Sequence, residues 1–213
     1  MRVLVMVFFV MLGAQAHAGA WMRAKGEGFL SFNVEYDPEA KSTFTSLFIE
    51  YGITPRITAG VDLGFADDTL YKAVAFGRYP LSAPDTDWQI SLEMGVGVSE
   101  DEAVLRPGLM LGRGLKLGKL SGWLSVEALA YYEVERNDVN VSTDLTLGVN
   151  LRDDLKLLVQ LQNGNQPMNP DYLDLATSVL LEKAPGLHLE FGVKTGLKDQ
   201  GIAAFKLGLW HKF

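Results

Sequence analysis

Few side chains in this 213-residue sequence are suited to acid-base or nucleophilic chemistry. It has three histidines, His17, His188 and His211, and no cysteine, which excludes thiol nucleophiles, disulfides and thiolate metal sites. A serine-type hydrolase needs a hydroxyl within hydrogen-bond reach of a histidine base. The candidates are Ser178 and His188, on the two sides of the turn at Ala184-Pro185-Gly186. Pairing across that turn sets His188 opposite Glu182 and Ser178 opposite Gly192, leaving serine and histidine about 13 Å apart along the strands. No catalytic residue, and no enzyme, is therefore expected. The sequence also lacks a zinc-ligand spacing, a phosphate loop and a dinucleotide fingerprint. Its most acidic run, Ser99-Glu100-Asp101-Glu102, lacks the alternating ligands of a calcium loop. No metal and no cofactor is expected.

What recurs instead is charge at every second position. Leu145, Leu147, Val149 and Leu151 alternate with Asp144, Thr146, Gly148, Asn150 and Arg152. Trp88, Ile90, Leu92, Met94 and Val96 alternate with Gln89, Ser91, Glu93, Gly95 and Gly97, and Leu187, Leu189, Phe191 and Val193 with His188, Glu190, Gly192 and Lys194. One face of each segment is apolar and the other polar, which is the signature of β-strands. On the polar parity stand ten acidic and nine basic residues. If these face a lumen, Arg78, Glu93, Arg106, Glu127, Lys156, Glu190 and Lys194 are candidates for lining a pore. Small inward residues such as Gly60, Gly95, Gly148 and Gly192 either leave room for solute or accommodate bulky neighbours.

The elements that must position them number about twelve, near 28–36, 43–53, 56–65, 70–80, 87–98, 103–112, 120–134, 140–152, 154–163, 172–182, 187–196 and 201–213. An even count with strands of about 11 residues suits a closed antiparallel transmembrane β-barrel. A soluble barrel or sandwich also alternates. Aromatic residues favour lipid, because they cluster toward strand ends as two interfacial girdles: Tyr51, Tyr79, Trp88, Trp123, Trp210 and Phe213 at one side, and Tyr36, Phe44, Phe65, Tyr71, Tyr132 and Tyr172 at the other, although Phe44, Trp123, Tyr172 and Trp210 fall on the polar face or at its margin. Residues 1–18 read as a signal peptide: Arg2, an apolar run from Val3 to Leu12, then Ala16-His17-Ala18. Cleavage after Ala18 is expected, with Ala20 the alternative, leaving residues 19–213 as one barrel domain. Without Arg2 the chain holds 18 basic and 26 acidic residues, a formal charge of −8, which argues against nucleic-acid partners. The loops opposite the N-terminus carry the imbalance, with eleven carboxylates against Lys41, Arg136 and Lys198. Such a rim would gather divalent cations that bridge to lipopolysaccharide phosphates, or bias passage toward cations.

The last strand places Phe205, Leu207, Leu209, His211 and Phe213 on one face. This resembles the C-terminal signature of Gram-negative outer-membrane barrel proteins. The resemblance implies that Phe205, Leu207, Leu209 and Phe213 form an assembly signal for the barrel assembly machinery, with His211 where an aromatic is more usual. Glu50-Tyr51-Gly52-Ile53-Thr54-Pro55-Arg56-Ile57 similarly resembles the strand-turn-strand element of proteobacterial outer-membrane transporter-like barrels. Together these imply residence among outer-membrane lipids and lipopolysaccharide and name no substrate; it is the charged lumen of a twelve-stranded wall, wide enough for a narrow aqueous space, that points to a passive pore for small polar solutes. A structural or assembly barrel without a conducting lumen is the alternative, and a lipid-modifying outer-membrane enzyme the less favoured one.

Overall fold

A computed structural model describes residues 19–165, 171–198 and 201–213. The expected signal peptide, residues 1–18, lies outside the described residues. Twelve strands follow one another: β1 (Gly28–Asp37), β2 (Ser42–Thr54), β3 (Ile57–Ala66), β4 (Thr69–Pro80), β5 (Trp88–Ser99), β6 (Glu102–Leu117), β7 (Leu120–Glu133), β8 (Asp138–Arg152), β9 (Leu155–Gly164), β10 (Tyr172–Ala184), β11 (Leu187–Gly196) and β12 (Gly201–Lys212). Each pairs antiparallel with its chain neighbours, and β1 pairs with β12, so the sheet closes. The seam runs from Phe29↔Lys212 to Tyr36↔Phe205. Phe213 completes it: Gly28 N donates to Phe213 O (2.6 Å) and Phe213 N donates to Gly28 O (3.1 Å).

The apolar parity forms the outer wall. Leu92, Met94, Val96 and Val98 on β5, and Phe205 and Leu207 on β12, are exposed outward, while Arg78, Glu93, Arg106 and Glu190 are buried inside. A charge on the outer face of such a wall would cost about 2–4 kcal/mol at mid-bilayer. β6 runs five residues beyond the expected end at 112, because Arg113 to Leu117 keep pairing with β7 down to a two-residue turn at Gly118-Lys119. At the end opposite the N-terminus, Asp67-Asp68 and Glu100-Asp101 form two-residue turns with φ of 44°, 67°, 49° and 64°. Such left-handed pairs match the twist of the flanking strands, and Asp tolerates them better than most residues.

The girdles are thinner than strand-end position alone implies. Tyr36, Tyr51, Tyr79, Trp88 and Phe213 are exposed outward. Phe44 and Tyr172 line the interior and Trp123 and Trp210 are buried there, as their parity implies, and Tyr71 joins them. Tyr71 was expected outside. The β3–β4 register shifts between Gly64↔Lys72 and Phe65↔Leu70, so the extra residue, Tyr71, turns inward and Leu70 faces out. A bulge of this kind changes which residues occupy a face.

Three inward glycines stand under rings. Trp123 lies opposite Gly148, Phe76 opposite Gly60 and Tyr172 opposite Gly164. In each pair a β-carbon on the glycine would collide with the ring. These glycines accommodate bulky neighbours rather than widening a channel. Gly148→Val is expected to destabilise the barrel by about 1–3 kcal/mol through overpacking, measured by urea unfolding in detergent micelles. Unaltered stability would contradict the Trp123–Gly148 packing.

Candidate functional site

Alternation sends the charges inward, and strand register decides which of them meet. Arg78 on β4 lies directly opposite Glu93 on β5, and Arg106 on β6 opposite Gly95. Gly95 and Gly108 have no side chains, so the long guanidinium groups can lie across the sheet. The result is an alternating chain of ions: Arg23–Glu50 (2.5 Å), Glu50–Arg78 (2.9 Å), Arg78–Glu93 (2.9 Å), Glu93–Arg106 (2.8 Å), Arg106–Asp62 (2.6 Å) and Asp62–Lys72 (2.9 Å). Both guanidiniums lie over the Phe76 ring, at 5.2 and 5.5 Å, and Phe76 stacks on Phe48. Arg78, Glu50, Glu93 and Arg106 are at most 2% exposed. On the facing wall Lys206 pairs with Glu190 (2.9 Å), Trp210 Nε1 donates to Glu190 Oε2 (2.9 Å), and Lys194 pairs with Glu35 (2.5 Å).

Beside this network sits an apolar cluster that alternation hides. Phe29, Trp123, Leu158, Leu180 and Trp210 pack together inside the barrel, with Trp21 and Phe48 against them. Trp21 belongs to no strand. The chain reverses at Gly26 (φ 91°), where Gly26 N donates to Gly52 O and Gly52 N to Glu27 O. From there residues 19–25 run back into the lumen. Arg23 N donates to Thr58 Oγ1, Ala20 and the Trp21 ring abut Gly112, and Gly19 abuts the Glu127 carboxylate. The backbone carbonyls of Arg23 and Ala24 lie so near Gly52 that no β-carbon would fit there. The N-terminal segment thus crosses from β2 and β3 to β6 and β7 as an internal plug.

Among the described residues, a cavity flanks this waist on each side. The first, of about 620 Å³, opens at the acidic end and is lined by eight carboxylates against five cations. The second, of about 640 Å³, opens at the N-terminal end beside the β6–β7, β8–β9 and β10–β11 turns.

The candidate residues divide among these regions. Arg78, Glu93 and Arg106 form the waist network and also border the acidic cavity, which Glu127 and Lys194 share. Glu190 lies deeper, held by Lys206 and Trp210. Lys156 lines the second cavity. The assembly candidates Phe205, Leu207 and Phe213 face outward, with Leu209 half-buried between them. Ser178 pairs with Gly192 and His188 with Glu182, the register the turn implied. Sequence reasoning missed Arg23, Trp21, Leu158 and Leu180. Leu158 and Leu180 had a signal, standing on the polar parity between Lys156 and Gln160 and between Ser178 and Glu182. The docking of Arg23 and Trp21 is set by tertiary contact alone.

No protein-family model and no curated protein matches the chain. Solved structures do. KdgM porin superposes with a TM-score of 0.65 at 9% identity, covering 87% of this chain and 99% of that one. NanC porin gives 0.62 at 10%, covering 86% and 98%. An outer membrane channel from Pseudomonas putida F1 gives 0.56 at 12%, covering 90% and 96%. One KdgM structure is a complex with disordered oligogalacturonate. The fold is that of the bacterial outer-membrane porin barrels. In this porin-like barrel the ion chain braces the wall at its waist. Replacing Arg78 by Met would leave Glu50 and Glu93 buried with a lost partner, a change that costs about 3–5 kcal/mol. Urea unfolding in micelles should show a loss of that order, and a neutral result would contradict the network.

Proposed function

We propose that the mature chain is an outer-membrane pore for small polar solutes, with its N-terminal end in the periplasm and residues 19–25 as its internal constriction. The observation that carries this reading is the pair of cavities facing each other across a waist that includes a segment outside the wall. Strands cannot move without breaking the closed ladder, whereas residues 19–25 join the wall covalently only through the turn at Gly26 and are otherwise held by the Arg23–Glu50 ion pair, the Arg23–Thr58 hydrogen bond and the packing of Trp21. Charge sets which solutes enter. The acidic cavity carries three carboxylates more than cations, and the rim above it is acidic too, so cations and neutral solutes are favoured over anions. The same rim suits divalent cations bridging to lipopolysaccharide phosphates.

Processing fits the same arrangement. Cleavage after Ala18 makes Gly19 the first residue, and its new α-ammonium lies one bond from the α-carbon that abuts Glu127. Glu127 forms no ion pair with another described residue, and its direct neighbour across β7 and β8 is a second carboxylate, Asp144. An ammonium at Gly19 answers that charge; cleavage after Ala20 would remove it. Phe205, Leu207, Leu209 and Phe213, on the strand that closes the barrel, present the outward face suited to the barrel assembly machinery. Enzymatic chemistry has no comparable support, since Ser178 and His188 face different partners.

Planar-bilayer recording tests the reading. Folded protein should give single-channel steps, larger after removal of residues 19–24, with a reversal potential in a KCl gradient that shows K⁺ preferred over Cl⁻. Glu127→Gln with Asp144→Asn should weaken that preference. Absence of steps from both the full and the shortened chain would favour the structural barrel, and anion preference would contradict the electrostatic argument.

A further inference from the structure

The cavity at the N-terminal end differs in charge from its counterpart. Four cations line it, Lys119, Arg152, Lys156 and Lys212, against two carboxylates, Asp153 and Glu182. Arg152 is already engaged by Asp154 (3.0 Å), and Glu182 Oε1 accepts from Gly186 N (3.0 Å). Lys156 is 7% exposed, yet it makes no hydrogen bond or ion pair with any described residue. His188, 5% exposed, has no partner for Nε2. Elsewhere in the lumen the buried Arg78 and Arg106 and the half-buried Lys206 each meet a carboxylate.

Glu182 and Asp153 share the cavity but neither touches the Lys156 ammonium; a buried cation without a contact partner is unfavourable, and a buried ring nitrogen without one adds to the cost. The floor beneath the two groups raises it further. Lys156 stands opposite Leu180 and two residues from Leu158, both fully buried, so the surroundings are apolar and attraction to an incoming charge is correspondingly strong. Lys156 on β9 and His188 on β11 flank β10 and line the cavity from two directions. A tetrahedral oxyanion offers acceptor oxygens in several directions at once, which matches an ammonium and an Nε2–H approaching from separate strands.

We propose that this cavity binds an oxyanion of the phosphate or phosphate-monoester class, with Lys156 Nζ and, in the imidazolium form that the bound anion stabilises, His188 Nε2–H as its donors and Lys119 supplying further positive field. About 640 Å³ exceeds the volume of phosphate itself, so the site has room for a substituent. The inference does not depend on conduction, because ligand contacts are made by wall residues whether or not the waist opens.

The test is a titration of inorganic phosphate into the folded mature barrel in uncharged micelles, followed by NMR of ¹⁵N-labelled histidine. His211, beside the Phe213 ring, is the internal control. A saturable shift of the His188 resonance is expected with His211 unmoved, and Lys156→Met should weaken the apparent affinity at least tenfold. Lys194→Met, on the other cavity, should leave it unchanged. Lys156→Gln repeats the comparison where the Met variant does not fold, as judged by heat-modifiable migration. A parallel titration uses phosphatidic acid in the micelle. Response to phosphate marks a soluble ligand and response to the lipid alone marks a headgroup, both within the proposed class. A His188 resonance that moves with neither, or equally in the Lys156 variants, would overturn the proposal. Since no current is measured, failure of the pore reading and failure of this site are separately visible.

Discussion

Hydrocarbon offers no partner to a backbone N–H or C=O, and the rest of this molecule follows from that constraint. A sheet can cross a membrane only if its two edges find each other, which here means β1 on β12 with Phe213 and Gly28 sealing the last rung. Closure fixes parity for every strand. With a wall one residue thick, whatever lipid rejects must go inside. The interior therefore receives more charge than a water-filled lumen of this size would leave apart, and the ions are drawn into contact.

Their arrangement explains why the barrel has a waist. Buried ion pairs stabilise little over apolar packing, but removing one partner is costly, so such a chain is maintained as a unit. Arg78, Glu93 and Arg106 tie β4, β5 and β6 to Glu50 on β2 and Asp62 on β3, and Phe76 gives the guanidiniums an aromatic surface. On the other side the same level is filled by Trp123, Leu158, Leu180 and Trp210. Charge on one wall and apolar bulk on the other leave a gap that residues 19–25 occupy, with Arg23 joining the ions and Trp21 joining the cluster. One segment satisfies both halves, which is why its composition pairs a cation with a ring.

The strands were legible because period-two alternation reports directly on which side of a thin wall a residue lies. Leu145 to Leu151 and Leu187 to Val193 needed nothing beyond that rule, and the turn at Ala184 to Gly186 correctly set His188 opposite Glu182. Tyr71 escaped it because a single inserted residue reverses parity locally, and a bulge leaves no mark in a pattern this short. The interior was less legible for a different reason. Parity assigns a side chain to the lumen but does not say whether the lumen is wet. Leu158, Leu180, Trp123 and Trp210 all stood on the inward face, and only their convergence from β9, β10, β7 and β12 makes them a core. The inward glycines carried the same ambiguity until Gly60 and Gly148 were seen beneath Phe76 and Trp123, and Gly95 and Gly192 against Val74 and Ser178. The N-terminal segment was the least accessible, since nothing in its sequence names Glu50, Thr58 or Gly112 as neighbours.

The claim on which the functional reading stands is that residues 19–25 lie inside the barrel. The chain has no cysteine, so an introduced pair is a clean probe. A β-carbon on Gly112 would stand 2.8 Å from the Ala20 β-carbon and 2.5 Å from the Trp21 ring, about 1 Å inside disulfide spacing, so the segment must move outward by about that much for the bond to form. Ala20→Cys with Gly112→Cys should cross-link spontaneously in isolated outer membranes, giving a peptide map with the two positions joined and a loss of free thiol. Two freely reactive thiols and no joined peptide, in a barrel that is otherwise folded, would contradict the internal plug.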